Sequence, residues 1–262
     1  MKNVHLSLII VFLFLSVGAQ AQFARFLESG QITFEKRTNA HALTKKAYAN
    51  VRDQLTLQII EQNMKNTPQF TTEEFSLQFG EQKSVYRFVR KTSEEGYSIV
   101  PVMLGSNASE RTNYFDFEQN LQVSQRTFRE NPYLIKDLPM QIDWKITDET
   151  REIAGFLCRR ANALIYDSVY VVAFYTDRIL VEGGPEIYTG LPGMILGLAL
   201  PHDHVTWFAT KVEDKPVTIA PLAVPKKGKE LTWEGMREEV LKAYGKNTSE
   251  KVINNLIKQL QM

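Results

Sequence analysis

The stretch "MQIDWKITDETREIAGFLCRRANALIYDSVYVVAFYTDRI", Met140–Ile179, decides the fold class. It is crowded with β-branched and aromatic residues, and three or four strand-like runs follow in quick succession. Thr147–Thr150 is polar and turn-like, Gly155 interrupts the second run, and Tyr166–Ser168 separates it from "VYVVAFYT". Such spacing leaves room only for hairpin links, so the strands are expected to pair antiparallel. Parallel pairing needs crossovers of about a dozen residues or more.

Downstream comes "GGPEIYTGLPGMILGLALPHDH", Gly183–His204, which places five glycines and three prolines around an apolar run. The glycines do not spell a dinucleotide or P-loop fingerprint. A phosphate cradle also needs a helix N-terminus behind it, whereas "MILGLALP" reads as a short buried strand. Half the length of a membrane span is present, which excludes that use. What remains is turn chemistry at Gly184, Pro185, Gly190, Leu191, Pro192 and Gly193. Leu191-Pro192-Gly193-Met194 fits a type II turn, with Gly193 at positive φ.

Upstream, "SGQITFEKR" alternates as a strand, and "LTKKAYANVRDQLTLQIIEQNMKN" carries apolar residues four apart and reads as one helix. "EEFSLQFGEQKSVYRFV" and "TNYFDFEQNLQVSQRTF" return to period two, each broken by a turn. The last segment, 230–262, is helical, broken near Gly245. The expected fold is α+β: one large curved antiparallel sheet with an N-terminal helix and C-terminal helices.

The chain opens with Lys2, an apolar run and Ala19-Gln20-Ala21, the pattern of a secretory signal peptide over 1–21. Residues 22–262 then form a single β-rich domain, soluble in the periplasm or outside the cell. Beyond 1–21, lysines and arginines number 30 against 30 acids, a balance that argues against a nucleic-acid partner. No later run is long enough for a transmembrane helix. Cys158 is the lone cysteine, so no internal disulfide forms, and it reads as a small buried apolar residue.

The phrase "GPEIYTGLPGMIL" closely resembles the signature of the GLPGLI family of exported Bacteroidota proteins. An upstream block carried by Trp144, Ile146, Glu149, Thr150, Ile153, Gly155, Phe156, Cys158 and Ala161 is similar to that family too. So is "VAFYTDRI", with Phe174 where Trp is usual; Met194 likewise replaces the usual Leu. The likeness covers about Tyr133 to Val212. It implies export, a β-rich fold and proximity to outer-membrane transport, and it names no catalytic residue.

Two groups of residues are candidates for chemistry. Trp144, Tyr170, Phe174, Tyr175 and Tyr188 could line an apolar groove on the sheet. His202 and His204, two apart in an extended chain, would face the same side about 6–7 Å apart and could share Zn or Cu. Glu182, Asp203, Asp177 or His41 would have to supply a third ligand. The leading expectation is an exported binding or accessory protein without a cofactor. It would take a small molecule, peptide or envelope protein, in the service of transport across the envelope. A metal-handling protein and an enzyme with an unassigned site are the alternatives.

Overall fold

The computed structural model describes residues 26–92, 111–166, 169–219, 224–245 and 247–261. Twelve strands form one open sheet in the order β12-β6-β5-β4-β3-β2-β1-β11-β10-β9-β8-β7. They are β1 Gly30–Asn39, β2 Phe70–Gly80, β3 Lys83–Lys91, β4 Thr112–Asp116, β5 Leu121–Phe128 and β6 Asn131–Asp137. After these come β7 Lys145–Ile153, β8 Phe156–Ile165, β9 Val169–Thr176, β10 Met194–Leu200, β11 Val205–Asp214 and β12 Lys229–Leu231. The helices are α1 Ala40–Ala47, α2 Gln54–Asn66, α3 Trp233–Tyr244 and α4 Glu250–Gln261.

This corrects the expected fold class on two counts. The sheet is mixed, because β12 runs parallel to β6. The chain leaves β11 near the middle of the sheet and passes Gly80, where Val217 O would lie 2.6 Å from an added Cβ. It buries Ile219 beside Val85, Tyr114, Val123 and Leu134. It thus reaches β6 by a crossover rather than a hairpin, and a crossover delivers a parallel strand.

The expected N-terminal helix is also wrong. A strand comes first, and the single helix read over 43–66 is two helices. Asn39 caps α1 by accepting from Ala42 N, and Asp53 caps α2 by accepting from Thr56 N. Asp53 restarts the helix, overriding an apolar spacing that runs through the break. Thr147–Thr150, expected as a turn, lies within β7, where the pairing with β8 shifts register.

Alternation fixes the two faces. Ile32, Phe34 and Lys36 of β1 share one, continued by Phe75 and Leu77, Tyr86, Asn113, Ser124 and Trp207 through direct cross-strand pairs. The main core forms here from β1–β3 and β8–β11. A second core packs Phe128, Tyr133 and Ile135 against Met236 and Val240 of α3 and Ile253 and Leu260 of α4. Toward its β7 edge the sheet bends back, placing the Arg151 guanidinium 4.8 Å from the Phe208 ring centre. Among the described residues no helix is long and apolar enough to cross a membrane.

Candidate functional site

Continuing the Ile32-Phe34 alternation sets Lys36 on the core face, where a charge is costly unless compensated. Its cross-strand neighbours are Glu73 on β2 and Trp207 on β11. The Lys36 Nζ lies 5.0 Å from the Trp207 ring centre and 5.9 Å from that of Phe75. It is 3.8 Å from Glu186 Oε1 and 4.0 Å from Glu73 Oε2. The Lys36 side chain is 11% exposed and that of Glu186 0%, so the pair is largely shielded from solvent.

Glu186 is delivered by the glycine- and proline-rich connection 177–193, folded onto the core face. Gly184 approaches Tyr188 O so closely that an added Cβ would sit 2.6 Å away. Ile195 N donates to Gly183 O at 2.9 Å, and Trp144 Nε1 donates to Thr189 O at 2.9 Å. Gly193 has φ +132°, as its positive-φ reading requires. The turn itself is tighter than type II, because Gly193 N donates to Leu191 O at 2.7 Å across Pro192. Glu186 has φ +55°, a conformation non-glycine residues rarely adopt, so the fold holds this carboxylate in place at a local cost.

More polar groups converge on the same point. Tyr86 stacks on Phe75 at 4.9 Å, and its hydroxyl is buried without a hydrogen bond. Trp207 Nε1 faces that hydroxyl without reaching hydrogen-bond geometry, and Glu186 Oε1 is likewise buried without a hydrogen bond. Asn113 donates to Glu186 Oε2 at 3.4 Å and accepts from Ser124 and Arg126, each at 2.8 Å. Arg126, 1% exposed, also donates to Leu260 O at the end of α4.

Burial and the nearby Arg111 charge lower the Lys36 amine from its ordinary range, against the opposing pull of Glu186 and Glu73. Burial, then Glu186, pushes the Tyr86 phenol well above its usual value. The site thus offers an amine, a buried carboxylate and two hydrogen-bond donors in a water-poor environment.

The aromatic candidates divide between the faces of β9. Tyr175 shares the face of Ala173, which pairs with Leu198 and through it with Trp207. Tyr188 is buried in the 177–193 connection, its phenol pushed well up by burial and then by Glu186. Phe174 and Tyr170 point to the opposite face. There Arg151 lies 5.8 Å from the Phe174 ring centre, and the Tyr170 hydroxyl donates to Asn162 Oδ1 at 3.0 Å. Trp144 serves to hold Thr189. The five therefore do not line one groove.

The histidine pair lies in a different backbone from the extended one assumed. Pro201–Asp203 is a short 3-10 helix, and His204 is left-handed at φ 53°. Asp203 is engaged by Lys46 at 3.5 Å and by Lys258. His41 Nε2 contacts Thr67 O at 2.9 Å. Among the described residues, no group of three or more His, Cys, Asp or Glu is placed to hold a metal. Cys158 is buried, and burial pushes its thiol up to about 12.

Sequence reasoning missed Lys36, Tyr86, Asn113, Arg126 and Glu186. A signal existed for Lys36, a cation in step with Ile32 and Phe34. Another existed for Glu186, inside the very phrase read as turns.

Residues 163–197 match the model of a family described as "Protein of unknown function (Porph_ging)". The match takes in β9, the 177–193 connection and Glu186, and the GLPGLI designation is not the one it returns. No curated protein matches. Among solved structures, the chain is similar to PNGF-II in its P21 crystal form, with a TM-score of 0.51 at 13% identity over 82% of this chain. It spans 34% of that protein, about a third of its length. PNGF-II in its C2 form gives 0.49 at 14% identity, covering 82% of this chain and 33% of that one. An uncharacterized conserved protein from Thermus thermophilus gives 0.37 at 7% identity, covering 78% and 90%. At these identities the PNGF-II likeness speaks for the fold alone.

Proposed function

We propose that this chain is an exported binding protein of the GLPGLI type, working in the periplasm or outside the cell. Its ligand site is the polar interior around Lys36. The observation that carries the reading is the gathering of Tyr86 OH, Trp207 Nε1 and Glu186 Oε1 beside Lys36, all three buried without a hydrogen bond. Each such group costs about 1–3 kcal/mol when unpaired, so a fold tolerates several together where something else completes them. A polar small molecule entering past Lys36 and Glu73 would do so.

The leader-like residues 1–21 support an envelope location for this activity, where a ligand carrier could serve transport. The test is native mass spectrometry on protein released from the envelope, comparing wild type with Tyr86→Phe and Glu186→Gln. Wild type should retain a small molecule that both folded variants lose. Wild type with nothing bound, or variants retaining the same molecule, would overturn the assignment.

A further inference from the structure

We infer that Lys36 is a nucleophilic amine that captures an aldehyde or ketone as an imine, with Glu186 as its proton relay. The inference rests on the interior being a ligand site and adds a covalent step to it.

The geometry supplies each part that imine formation needs. A lysine amine becomes a nucleophile when apolar surroundings and a neighbouring cation disfavour its charged form. Lys36 has both: it sits on the core face in step with Ile32 and Phe34, and burial with the Arg111 charge acts against its protonation over the opposing pull of Glu186 and Glu73. The Lys36 side chain keeps 11% of its surface exposed, and a carbonyl compound would enter there. A carboxylate must take the proton of the attacking nitrogen and return it to the departing oxygen. Glu186 Oε1 stands 3.8 Å from Nζ, fully buried and without a hydrogen bond. Its Oε2 is steadied by Asn113, which Ser124 and Arg126 fix in turn. Donors must also meet the carbonyl oxygen as it gains negative charge. Tyr86 OH and Trp207 N–H are buried and lack hydrogen bonds, so a ligand oxygen would complete them.

The chemistry balances without an oxidant or reductant. The Nζ lone pair adds to the carbonyl carbon, and the π electrons move onto oxygen. Glu186 takes a proton from nitrogen and passes one to oxygen, giving the carbinolamine. The nitrogen lone pair then expels the hydroxyl, which leaves as water with a proton from Glu186, and the carboxylate takes the remaining N–H proton back, leaving the C=N bond. The overall exchange is one amine and one carbonyl for one imine and one water.

The test is reductive trapping. Folded protein lacking residues 1–21 is exposed briefly at neutral pH to butanal or pyruvate with cyanoborohydride, and the adducts are mapped by peptide mass spectrometry. The expected result with butanal is one dominant adduct on Lys36, formed at least about tenfold faster than on surface lysines. That rate difference reflects an amine set beside a proton-accepting carboxylate, since a positioned general acid–base group contributes roughly 10²–10⁴-fold. Lys36→Arg, which keeps the charge, should abolish this adduct, and Glu186→Gln should slow it.

The Lys36 rate should level off at a lower pH than the surface amines. The groups that face it and set this profile are Glu73 on β2, Tyr86 on β3, Arg111 before β4, Arg126 on β5 and Glu186. Adducts spread over surface lysines with none favoured at Lys36 would overturn the inference. Wild-type mapping decides this even if a variant fails to fold. A retained ligand with no adduct would sink the imine and leave the binding assignment standing.

Discussion

Gly193 shows how far one residue governs the interior. An added Cβ would lie 2.1 Å from Thr176 O, a backbone atom of the neighbouring strand that cannot swing aside. Its φ of +132° adds strain for any other residue. Gly193 closes the connection that carries Glu186, so the same substitution disturbs both strand pairing and the carboxylate. Gly193→Ala should lower unfolding free energy by at least about 1–3 kcal/mol, the cost of backbone strain at such positions. Chemical denaturation of the two proteins measures it, and an unchanged midpoint would show that β9 and β10 can part without penalty. The need for a glycine here was readable from Leu191-Pro192-Gly193. The tighter turn was not, because Pro192 satisfies either geometry and the choice is made by β9 and β10.

Among the elements, α4 ties distant parts of the sheet together. Its C-terminal carbonyls accept from Arg126 on β5, Gln261 meets the Tyr166 hydroxyl beyond β8, and Lys258 pairs with Asp203 between β10 and β11. A cation at a helix C-terminus also complements the helix dipole. Arg126→Gln removes the charge and most of these donors while leaving the apolar contacts of Ile253 and Leu260. Amide exchange in α4 should then quicken by an order of magnitude or more, following about 1.5–3 kcal/mol for hydrogen bonds to a charged group. Exchange in β1–β3 should stay as in wild type. Equal acceleration everywhere would mean that α4 unfolds only with the whole molecule.

Elements were legible where local pattern and tertiary setting agreed, as in β1, β10 and the helical end. The helix read over 43–66 failed because apolar spacing ran on through Tyr48–Asp53, while Asp53 starts a new helix there. β12 was illegible for a different reason. Lys229–Leu231 is a strand only because a crossover lays it beside β6. The site was the least legible part, since Lys36, Tyr86, Glu186 and Trp207 lie far apart in sequence and only the strand order gathers them. The aromatic candidates are divided by alternation, which sends Phe174 and Tyr175 to opposite faces.

At the scale of the whole molecule, burying so many titratable groups couples stability to pH. Burial raises the Tyr86 and Tyr188 phenols well above the 10.0 of an exposed tyrosine. The stabilisation tied to each is fully present below pH ~10. It is lost as pH rises from there through the folded values, because the unfolded chain releases those protons first. Lys36 acts with the opposite sign: its lowered folded value makes the unfolded chain hold the extra proton, so its cost is relieved as pH rises toward 10.5. Arg126, lowered by burial, also opposes the tyrosines.

The sum of these effects is ambiguous in wild type alone, and a difference resolves it. Tyr86→Phe keeps the stack on Phe75 and leaves Lys36, Arg126 and Tyr188 to titrate, so most other contributions cancel. Unfolding free energies from urea titrations should fall more steeply in wild type than in Tyr86→Phe above pH ~10, by up to about 1.4 kcal/mol per pH unit for one phenol. Below pH ~9 the two curves should run nearly parallel, offset by a constant. Parallel curves up to pH ~11.5 would mean that the Tyr86 hydroxyl reaches water after all, and the dry interior proposed around Lys36 would fall with it.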